Sequence, residues 1–369
     1  MRYYIIAGEA SGDLHGSNLI RGLRAEDSEA QIRFWGGDLM KEAGSGTATL
    51  VRHYKEGAVM GLGDVLGKAG KLLGNIKSCK KDIIGWSPDV VILIDYPGFN
   101  MKIAKFCHAR GIRVFYYIAP KTWASRENRN RKLRAWVDRL FIVFPFEIPY
   151  FTEKQIPFIY KGNPLVDAID GHDYKRPAEG GYIALLPGSR KGEISRMMPV
   201  CMEVADRLGR DIVIAGAPAR SEEDYLPYIG SRRNVKLVFG RTYDILKFAD
   251  AAIVNSGTAS LEAALIGTPQ VVCWSTGKVT AFIARYILKV MDHIKYISLG
   301  NLCIDRFAFR ELVQNDFTAD EVTAEVSRLC SDEEYRRRML ADYDEIRRSL
   351  GGSGASCKVA KAMIAELKG

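Results

Sequence analysis

The stretch from Ala251 to Trp274 limits most strongly what this chain can fold into. A short apolar run ends in a tight turn at Asn255-Ser256-Gly257-Thr258, a helical pattern runs from Ala259 to Gly267, and a second apolar run follows. Strand, helix and strand in this order form the repeating unit of a parallel sheet with helices on its faces. The same order recurs in both halves of the chain, so we predict an α/β protein with two doubly wound, Rossmann-like domains.

The turn inside this stretch is also a candidate anion site. The first N–H groups of a helix have no partner within it, and the helix dipole places about half a positive charge there. Ser256, Gly257 and Thr258 therefore predict a phosphate site, and Glu262 follows where a carboxylate can accept two hydrogen bonds from a ribose. The competing interpretation is an ordinary helix cap with a solvent-facing Glu262, and this stretch alone does not separate the two.

Length and composition predict the domain organisation and the compartment. A chain of 369 residues exceeds one typical core, so we predict domains at 1–166 and 167–340, joined by the polar stretch from Asp167 to Gly181, with C-terminal helices at 341–369. Whether those helices pack on the first domain or on another subunit stays open, as does the oligomeric state, with a homodimer as one alternative. No apolar run approaches the roughly 20 residues of a membrane span and no signal sequence is present, which predicts a cytoplasmic protein.

Cysteine, histidine and charge patterns narrow the chemistry. Seven cysteines without a CxxC pair and five histidines without HxxxH spacing favour neither a disulfide frame nor a metal site, so we predict no cofactor. Asp342-Tyr343-Asp344 has DxD spacing, but residues two apart on a helix point to different faces. The net charge of +9 predicts an anionic partner, which can be nucleic acid, a phospholipid surface or a phosphorylated substrate.

A second polar turn, Gly8 to Gly16, follows the first predicted strand. It contains Glu9 and Asp13, which would repel a pyrophosphate, and it lacks the GxGxxG spacing of a dinucleotide site. Sugar groups suit such a turn better. The alternative is a connecting turn in which Ser11 and Asp13 cap the helix, but the density of polar groups favours the functional interpretation.

Asp95 follows the apolar run from Val90 to Ile94, and ligands of open parallel sheets bind outside the carboxyl ends of the strands. A carboxylate partly desolvated beside Tyr96 can serve as a general base, because desolvation raises its pKa towards neutrality. The alternative is that Asp95 accepts hydrogen bonds from turn amides before Pro97. Asn100 is a candidate for orienting a hydroxyl group.

The segment from Val59 to Trp86 combines an apolar stripe with positive charge. Five lysines and no acidic residue lie between Val65 and Lys81. This pattern is typical of a helix on an anionic bilayer, where each lysine contributes about 1 kcal/mol. The alternative is an amphipathic helix packed on its own sheet, and five glycines weaken the helix prediction itself. The stripe includes Leu66, Leu72, Leu73 and Ile76, and the candidate membrane-facing residues are Met60, Leu66, Lys68, Leu73 and Lys77.

A basic stretch lies at Met101 to Arg139, with eleven basic residues, two acidic ones and Trp123 interleaved. Its composition fits single-stranded nucleic acid, an interfacial membrane patch or a phosphorylated acceptor equally well. No RNA-binding signature occurs in the chain.

Further candidate ligands lie in the second half. The turn after Leu186 contains Ser189 and Arg190, and we predict that Arg190 clamps a diphosphate, because an Arg–phosphate hydrogen bond contributes about 1.5 to 3 kcal/mol. Asn301 ends a strand-like run, and Gln314 follows on a helical pattern.

Six segments occur in the order found in one enzyme family: GEASGDLHG, AVMGLGDVL, VILIDYPGFN, LLPGSRKGEI, NSGTASLEAALIGTPQVV, and ISLGN followed by RELVQ. The chain resembles the lipid-A-disaccharide synthases over nearly its whole length. The resemblance implies a GT-B glycosyltransferase whose two Rossmann-like domains face each other across a cleft, with the acceptor on the first and the UDP-sugar on the second. It further implies inverting, metal-independent transfer from UDP-2,3-diacylglucosamine to 2,3-diacylglucosamine 1-phosphate, giving a β(1→6) disaccharide.

The matching motifs imply acceptor-side or catalytic roles for Glu9, Asp13 and Asp95. They imply donor-side roles for Arg190, Ser256, Glu262, Asn301 and Gln314. We hypothesise that Asp95 takes the proton of the acceptor 6-hydroxyl while Arg190 and the turn at Ser256 stabilise the charge on the departing UDP. The lysines around Lys68 would then hold the enzyme peripherally on the anionic inner face of the inner membrane.

Two alternative functions remain. A UDP-sugar 2-epimerase shares the fold and the nucleotide site, but it acts on a soluble sugar and has no use for a basic amphipathic segment. A nucleic-acid-binding protein accounts for the charge of +9. We favour the glycosyltransferase, with no nucleic-acid partner.

Overall fold

The computed structural model describes residues 1–57, 65–124, 127–177, 179–277 and 295–369. The chain forms two compact units. The N-terminal unit comprises Met1–Ala168 together with Leu350–Gly369, and the C-terminal unit comprises Ile169–Ser349. The predicted boundaries were 166/167 and 340/341. The second boundary lies later because a long helix continues to Ser349 and only the residues after it return to the N-terminal unit.

The N-terminal unit contains a seven-stranded parallel sheet with the order β3-β2-β1-β4-β5-β6-β7. The strands are β1 (Arg2–Ala7), β2 (Gln31–Gly36), β3 (Ala48–His53), β4 (Val90–Ile94), β5 (Arg113–Tyr117), β6 (Arg139–Ile142) and β7 (Phe158–Tyr160). Its helices are α1 (Ala10–Glu26), α2 (Asp38–Ala43), α3 (Tyr54–Gly57), α4 (Val65–Trp86), α5 (Pro97–His108), α6 (Arg129–Trp136) and α7 (Glu147–Glu153), and α8 (Pro164–Asp170) leads into the other unit.

Helices cover both faces of this sheet, which is why the central strand β4 is apolar and buried along its whole length. On one face, α4, α5 and α6 contribute Ile76, Ile103 and Leu133 to a core with alternate strand residues. The candidate stripe of α4 is therefore divided: Leu72 and Ile76 pack against the sheet, whereas Leu73 is 61% exposed. The prediction of one stripe was wrong here, because neighbouring helical residues are rotated by about 100° from each other.

Three of the candidate membrane-facing side chains lie outside the described part of the structure. Met60 lies outside the described residues, and so do the side chains of Leu66 and Lys68. Lys77 is exposed on α4. No helix in the described ranges has the length and apolar character needed to cross a bilayer.

The C-terminal unit contains a six-stranded parallel sheet with the order β10-β9-β8-β11-β12-β13. The strands are β8 (Tyr182–Leu186), β9 (Asp211–Gly216), β10 (Val235–Phe239), β11 (Ala251–Asn255), β12 (Gln270–Trp274) and β13 (Glu311–Val313). The helices are α9 (Lys191–Leu208), α10 (Leu226–Ile229), α11 (Thr242–Lys247), α12 (Thr258–Ile266), α13 (Leu299–Ile304), α14 (Ala319–Ser331) and α15 (Glu333–Ser349), and 3₁₀ turns lie at Glu222–Asp224 and Gln314–Asp316. Two doubly wound parallel sheets confirm the predicted fold class.

Two local predictions in this unit were wrong. Asn301 lies within helix α13 rather than at the end of a strand. Gln314 follows strand β13 rather than lying on a helical run, and it begins a 3₁₀ turn with a positive φ of 56°. Both segments are short and take their conformation from their neighbours, so local periodicity is a weak guide.

The last helix, α16 (Ala355–Lys368), belongs to the N-terminal unit and packs along α1. Gly22 allows this close approach, because a Cβ there would lie 3.0 Å from the Cβ of Ala360. The carboxylate of Asp167 accepts hydrogen bonds from the backbone N–H groups of Gly354 (2.5 Å), Ala355 (3.2 Å) and Ser356 (2.8 Å). These bonds cap α16, since the first N–H groups of a helix have no partner within it.

Candidate functional site

Each sheet reverses its strand order at one place, and ligands of doubly wound sheets bind outside the carboxyl ends of the strands at that place. In the N-terminal unit the reversal lies between β1 and β4, so the residues after them, Glu9 and Asp95, lie at neighbouring strand ends. In the C-terminal unit it lies between β8 and β11, so Arg190 and the turn at Ser256 lie at neighbouring strand ends. The structure thus brings the predicted residues into two clusters, one in each unit.

The backbone at Asp95 is strained. Asp95 and Tyr96 have positive φ angles of 42° and 47°, a region that non-glycine residues rarely adopt. The carbonyl oxygen of Asp95 accepts hydrogen bonds from the Tyr116 hydroxyl (2.6 Å) and from Nδ2 of Asn100 (2.7 Å), which hold this conformation. Strain of this kind occurs preferentially where a side chain must be aimed at a ligand.

The Asp95 side chain lies in a notch between the two strand ends. A cavity of about 10 Å³, enough for one water or hydroxyl group, is lined by Gly8, Glu9, Ser11, Gly12, Ile94, Asp95 and Tyr96. Burial raises the pKa of Asp95, the charge of Glu9 raises it further, and Lys121 lowers it. A carboxyl group with a raised pKa beside a hydroxyl-sized space has the properties of a general base.

Gly8 has a packing role at this notch that the sequence did not reveal. A Cβ on Gly8 would lie 2.3 Å from the ring of Tyr96, so the ring packs directly against the glycine backbone. Tyr96 also stacks on Phe99, with ring centroids 5.6 Å apart. Both contacts hold the backbone that carries Asp95.

Asp13 does not join this notch as a free carboxylate. It is buried on α1, and its oxygens accept hydrogen bonds from the backbone N–H groups of Gly37 (2.7 Å), Leu39 (3.1 Å) and Met40 (3.1 Å). Asp13 therefore caps α2. Its predicted acceptor-side or catalytic role stays a prediction. The predicted alternative, a cap on its own helix, was wrong, since α1 already begins at Ala10.

Asn100 and Trp123 support the surroundings of Asp95. Nδ2 of the buried Asn100 donates to the carbonyl oxygens of Ile94 and Asp95 and so holds the turn, while its Oδ1 is buried without a hydrogen-bond partner in the described structure. The predicted role of Asn100 in orienting a hydroxyl stays a prediction. Trp123 packs edge-on against Phe146, with ring centroids 4.9 Å apart.

Glu147, which the sequence analysis did not select, lies near Trp123. It is buried, and its carboxylate accepts hydrogen bonds from the N–H groups of Val143 and Phe144. Burial raises its pKa to about 7. The sequence signal that could have found Glu147 is its position directly after the apolar run from Leu140 to Phe146.

In the C-terminal unit, the turn after β8 is already engaged by a carboxylate. Glu193 accepts hydrogen bonds from the N–H groups of Ser189 (2.9 Å) and Arg190 (3.1 Å) and from the Arg190 guanidinium (2.7 Å). The N–H groups of Ser189 and Arg190 are therefore bonded to Glu193. The side chain of Arg190 is 82% exposed, so its guanidinium can exchange Glu193 for a ligand phosphate.

The turn after β11 leads into the N-terminus of α12, the feature on which the predicted phosphate site rests. Gly257 is the N-cap residue of α12, and Thr258 is its exposed first residue. The Ser256 hydroxyl donates to the carbonyl oxygen of Ile297 (2.8 Å), so Ser256 fixes the turn. Further along α12, burial raises the pKa of Glu262 to about 7, and the Tyr243 hydroxyl, 3.5 Å from Oε1, opposes this rise.

The last two donor-side predictions fall on residues that hold loops together. Nδ2 of the buried Asn301 donates to Phe309 and to Glu311 (2.8 Å), and its Oδ1 accepts from Ala308 (2.8 Å). Oε1 of Gln314 accepts from the N–H of Thr276 (2.9 Å), which fixes the turn after β12. Both polar side-chain atoms of Asn301 and Oε1 of Gln314 are thus bonded within the protein.

In the described part of the chain, no three His, Cys, Asp or Glu side chains come together as a metal site. Asp342 of the DxD sequence pairs with Arg306 (2.6 Å), while Tyr343 between the two aspartates is buried.

Comparisons with solved structures show the fold. The chain is similar to the S. aureus MnaA-UDP co-structure (TM-score 0.72, 12% identity, covering 100% of this chain and 97% of that one). It is also similar to UDP-GlcNAc 2-epimerase from Neisseria meningitidis bound to UDP-GlcNAc (0.69, 14%, covering 99% and 100%) and to the glycotransferase of kitacinnamycin (0.64, 18%, covering 99% of both). At these identities the likeness concerns the fold alone.

Sequence comparisons are more specific. The chain is 33% identical to the lipid-A-disaccharide synthase of Trichlorobacter lovleyi, covering 98% of this chain and 97% of the relative. It is 34% identical to that of Geobacter metallireducens, covering 98% and 96%. The family model for lipid-A-disaccharide synthetase (LpxB) matches residues 3–365. The chain therefore belongs to the lipid-A-disaccharide synthetase family.

Proposed function

We propose that this chain transfers 2,3-diacylglucosamine from UDP-2,3-diacylglucosamine to 2,3-diacylglucosamine 1-phosphate, with inversion, giving the β(1→6) lipid A disaccharide 1-phosphate and UDP. Family membership and two relatives at 33% and 34% identity support the reaction. The structural observation that carries the proposal is the strained, partly buried Asp95 at the strand-order reversal of the N-terminal unit. It is the group best suited to activate a hydroxyl.

Asp95 is the proposed base for the acceptor 6-hydroxyl. Its carboxylate takes the hydroxyl proton as the oxygen attacks the anomeric carbon of the donor, and the bond from that carbon to the UDP oxygen breaks. A raised pKa makes Asp95 a stronger base than an ordinary aspartate. Attack opposite to the leaving UDP inverts the anomeric configuration in a single step.

The departing UDP gains negative charge, which the C-terminal unit is suited to stabilise. The guanidinium of Arg190 and the N-terminal amides of α12 lie at the strand-order reversal between β8 and β11. Positive groups in fixed positions lower the barrier without having to reorganise. We therefore propose that the reaction requires no metal.

The proposed location is the cytoplasmic face of the inner membrane, where the acyl chains of both substrates can partition. The described part of α4 retains an outward face suited to an anionic surface, because Leu73 and Ile84 are 61% and 48% exposed with Lys77 and Lys81 between them. Each lysine near such a surface contributes about 1 kcal/mol, which is enough for reversible attachment.

The epimerase alternative has weaker support than the synthase. The epimerase from Neisseria meningitidis shares 14% identity with this chain, whereas the two synthases share 33% and 34%. Fold similarity does not transfer an activity. No observation in the described residues favours nucleic acid over a phosphorylated lipid as the anionic partner.

An assay of UDP release tests the proposal. The purified protein is incubated with the diacylated donor and acceptor together, with each alone, and with EDTA. We expect UDP release only when both sugars are present, a tetra-acyl disaccharide product, and no effect of EDTA. Release of UDP without acceptor, conversion of UDP-GlcNAc to an epimer, or loss of activity in EDTA that Mg²⁺ restores would each contradict part of the proposal.

A further inference from the structure

Tyr243, in the first turn of α11, is a half-buried polar side chain that the proposed mechanism leaves without a role. Its hydroxyl lies 3.5 Å from Oε1 of Glu262 on α12. Its ring contacts His172 edge-on, with ring centroids 5.3 Å apart and an interplanar angle of 79°. These contacts fix where the hydroxyl points.

Glu262 has unused hydrogen-bonding capacity. An ionised carboxylate accepts about four hydrogen bonds, and within the described residues the only donor recorded for Glu262 is the long bond from Tyr243. A half-buried carboxylate with so few partners is in an unfavourable state until a ligand supplies more. The two vicinal hydroxyls of a ribose supply two hydrogen bonds at once.

We propose that Tyr243 is a positioning residue that holds the Glu262 carboxylate ready for the ribose hydroxyls of a nucleoside diphosphate. This inference rests on the proposed function, in which the C-terminal unit binds UDP. The Tyr243 hydroxyl occupies one side of Oε1, so the remaining lone pairs of the carboxylate are presented to the ligand. Loss of the Tyr243 hydroxyl should therefore weaken contacts to the ribose and leave contacts to the base and phosphates unchanged.

The first turn of α11 is itself fastened, so Tyr243 has a rigid support. The neighbouring Asp244 is buried, and it accepts hydrogen bonds from the N–H of Lys175 (3.0 Å) and from the guanidinium of Arg241 (2.8 Å). Oδ1 of Asp244 also lies 3.0 Å from Nε2 of His172. The His172 ring, which contacts Tyr243, is thereby held against the same turn.

Protonation provides a second signature of this arrangement. Burial raises the pKa of Glu262 to about 7, and Tyr243 lowers it. The ionised form accepts the ribose hydrogen bonds, so UDP affinity should rise as the pH increases through about 7. Replacing Tyr243 by Phe removes the lowering influence and should move this rise to higher pH.

Other titratable groups on the described elements packed against α12 have partners elsewhere. On α11, Asp244 binds Arg241, and Nζ of Lys247 lies 5.4 Å from the ring centre of Tyr174. On α15, Arg347 pairs with Asp170, and the Tyr343 hydroxyl donates to the carbonyl of Thr268. Cys273 on β12 is buried and Cys303 on α13 is half-buried; both are uncharged as thiols. Burial is therefore the main influence on the ionisation of Glu262, and Tyr243 is the side chain that opposes it.

The test compares UDP with 2′,3′-dideoxy-UDP by isothermal titration calorimetry at pH 6 and pH 8.5. The full-length wild type, Tyr243→Phe and Tyr174→Phe are measured, the last being a matched Tyr-to-Phe change in the ring that also contacts His172. We expect Tyr243→Phe to weaken UDP binding about 3- to 10-fold, more at pH 6 than at pH 8.5, with no effect on the dideoxy ligand. Tyr174→Phe should leave both affinities unchanged, and in Glu262→Gln the pH dependence of UDP binding should match that of the dideoxy ligand, whose phosphates titrate in the same way.

Equal weakening of both ligands by Tyr243→Phe would overturn the inference, because it would indicate a merely structural role. An unchanged affinity and pH profile would overturn it as well, while UDP binding by the wild type would leave the proposed function standing. Failure of the wild type to bind UDP at either pH would instead contradict the proposed function, and the inference with it.

Discussion

The carboxylates near the candidate sites differ in whether their oxygens already accept hydrogen bonds from the protein. Asp13 accepts three backbone hydrogen bonds, and Glu193 binds two amides and a guanidinium. Asp95 instead lies in a notch with a raised pKa, on a backbone that other side chains hold in a strained conformation. A committed carboxylate stabilises a turn, whereas an uncommitted one can accept a proton from a ligand.

This contrast predicts different outcomes for two substitutions. Asp95→Asn should lower kcat by about 10² to 10⁴, the usual contribution of a general base, and leave UDP binding and Tm almost unchanged. Asp13→Asn should do the opposite, lowering the free energy of unfolding by about 1 to 3 kcal/mol with kcat largely retained. Steady-state kinetics, UDP titration and thermal unfolding of both variants measure this. Full activity of Asp95→Asn would remove it as the base.

The pH dependence of the reaction should respond to two charges near Asp95. A base must be ionised, so activity falls as the pH drops through its pKa, and that pKa is raised. Glu9→Gln removes a negative charge that raises the pKa, so the acidic limb of the rate profile should move to lower pH. Lys121→Met removes a positive charge that lowers the pKa, so the limb should move to higher pH. Shifts in the same direction in both variants would rule out this electrostatic explanation.

At the scale of elements, α4 shows how one helix can satisfy two requirements. Its inner residues Ile76, Cys79 and Ile83 are buried against the sheet, which agrees with the alternative that the helix packs on its own domain. Its outer face still combines exposed Leu73 with lysines. A core-packed helix can therefore also present a basic, partly apolar surface to a bilayer.

The proposed membrane contact predicts a charge effect specific to this face. Lys77→Glu with Lys81→Glu should reduce the partition coefficient on phosphatidylglycerol-containing vesicles, measured by co-sedimentation, by roughly 30-fold or more, because each lost lysine contributes about 1 kcal/mol and each added glutamate is repelled by the surface. Lys358→Glu with Lys361→Glu on α16 changes the net charge equally at exposed positions and should have little effect. Equal losses in both double variants would indicate general electrostatics rather than a defined surface.

At the scale of the whole molecule, the chain crosses between its two units twice. It leaves the N-terminal unit after Ala168 and returns at Leu350, so α16 completes a unit that began about 350 residues earlier. Asp167 lies just before the first crossing. Its carboxylate caps α16, which begins just after the second crossing. Arg139 adds an ion pair with Glu366 (2.6 Å) near the end of that helix.

This closure predicts a stability effect far from either candidate site. Asp167→Ala should lower the free energy of unfolding of the N-terminal unit by about 1 to 3 kcal/mol, because three helix-terminal N–H groups lose their acceptor. Asp173→Ala removes an exposed aspartate a few residues away and should change it by less than about 0.5 kcal/mol. Urea denaturation of both variants measures the difference, and an equal effect would deny Asp167 its capping role.

The sequence by itself determined the parallel sheets, because buried strands are continuous apolar runs that alternate with helical patterns, and each pattern is local. It also placed Asp95 after a strand of the first sheet, and Arg190 and Ser256 after two strands of the second. In each sheet these strands lie at the place where the strand order reverses. Only the tertiary structure decided that Asp13 caps α2, that Glu193 occupies the turn at Arg190, that Asn301 lies in a helix and that α16 joins the first unit. These outcomes depend on which hydrogen-bond donor reaches which acceptor across large sequence separations, and local residue patterns carry no record of such distances.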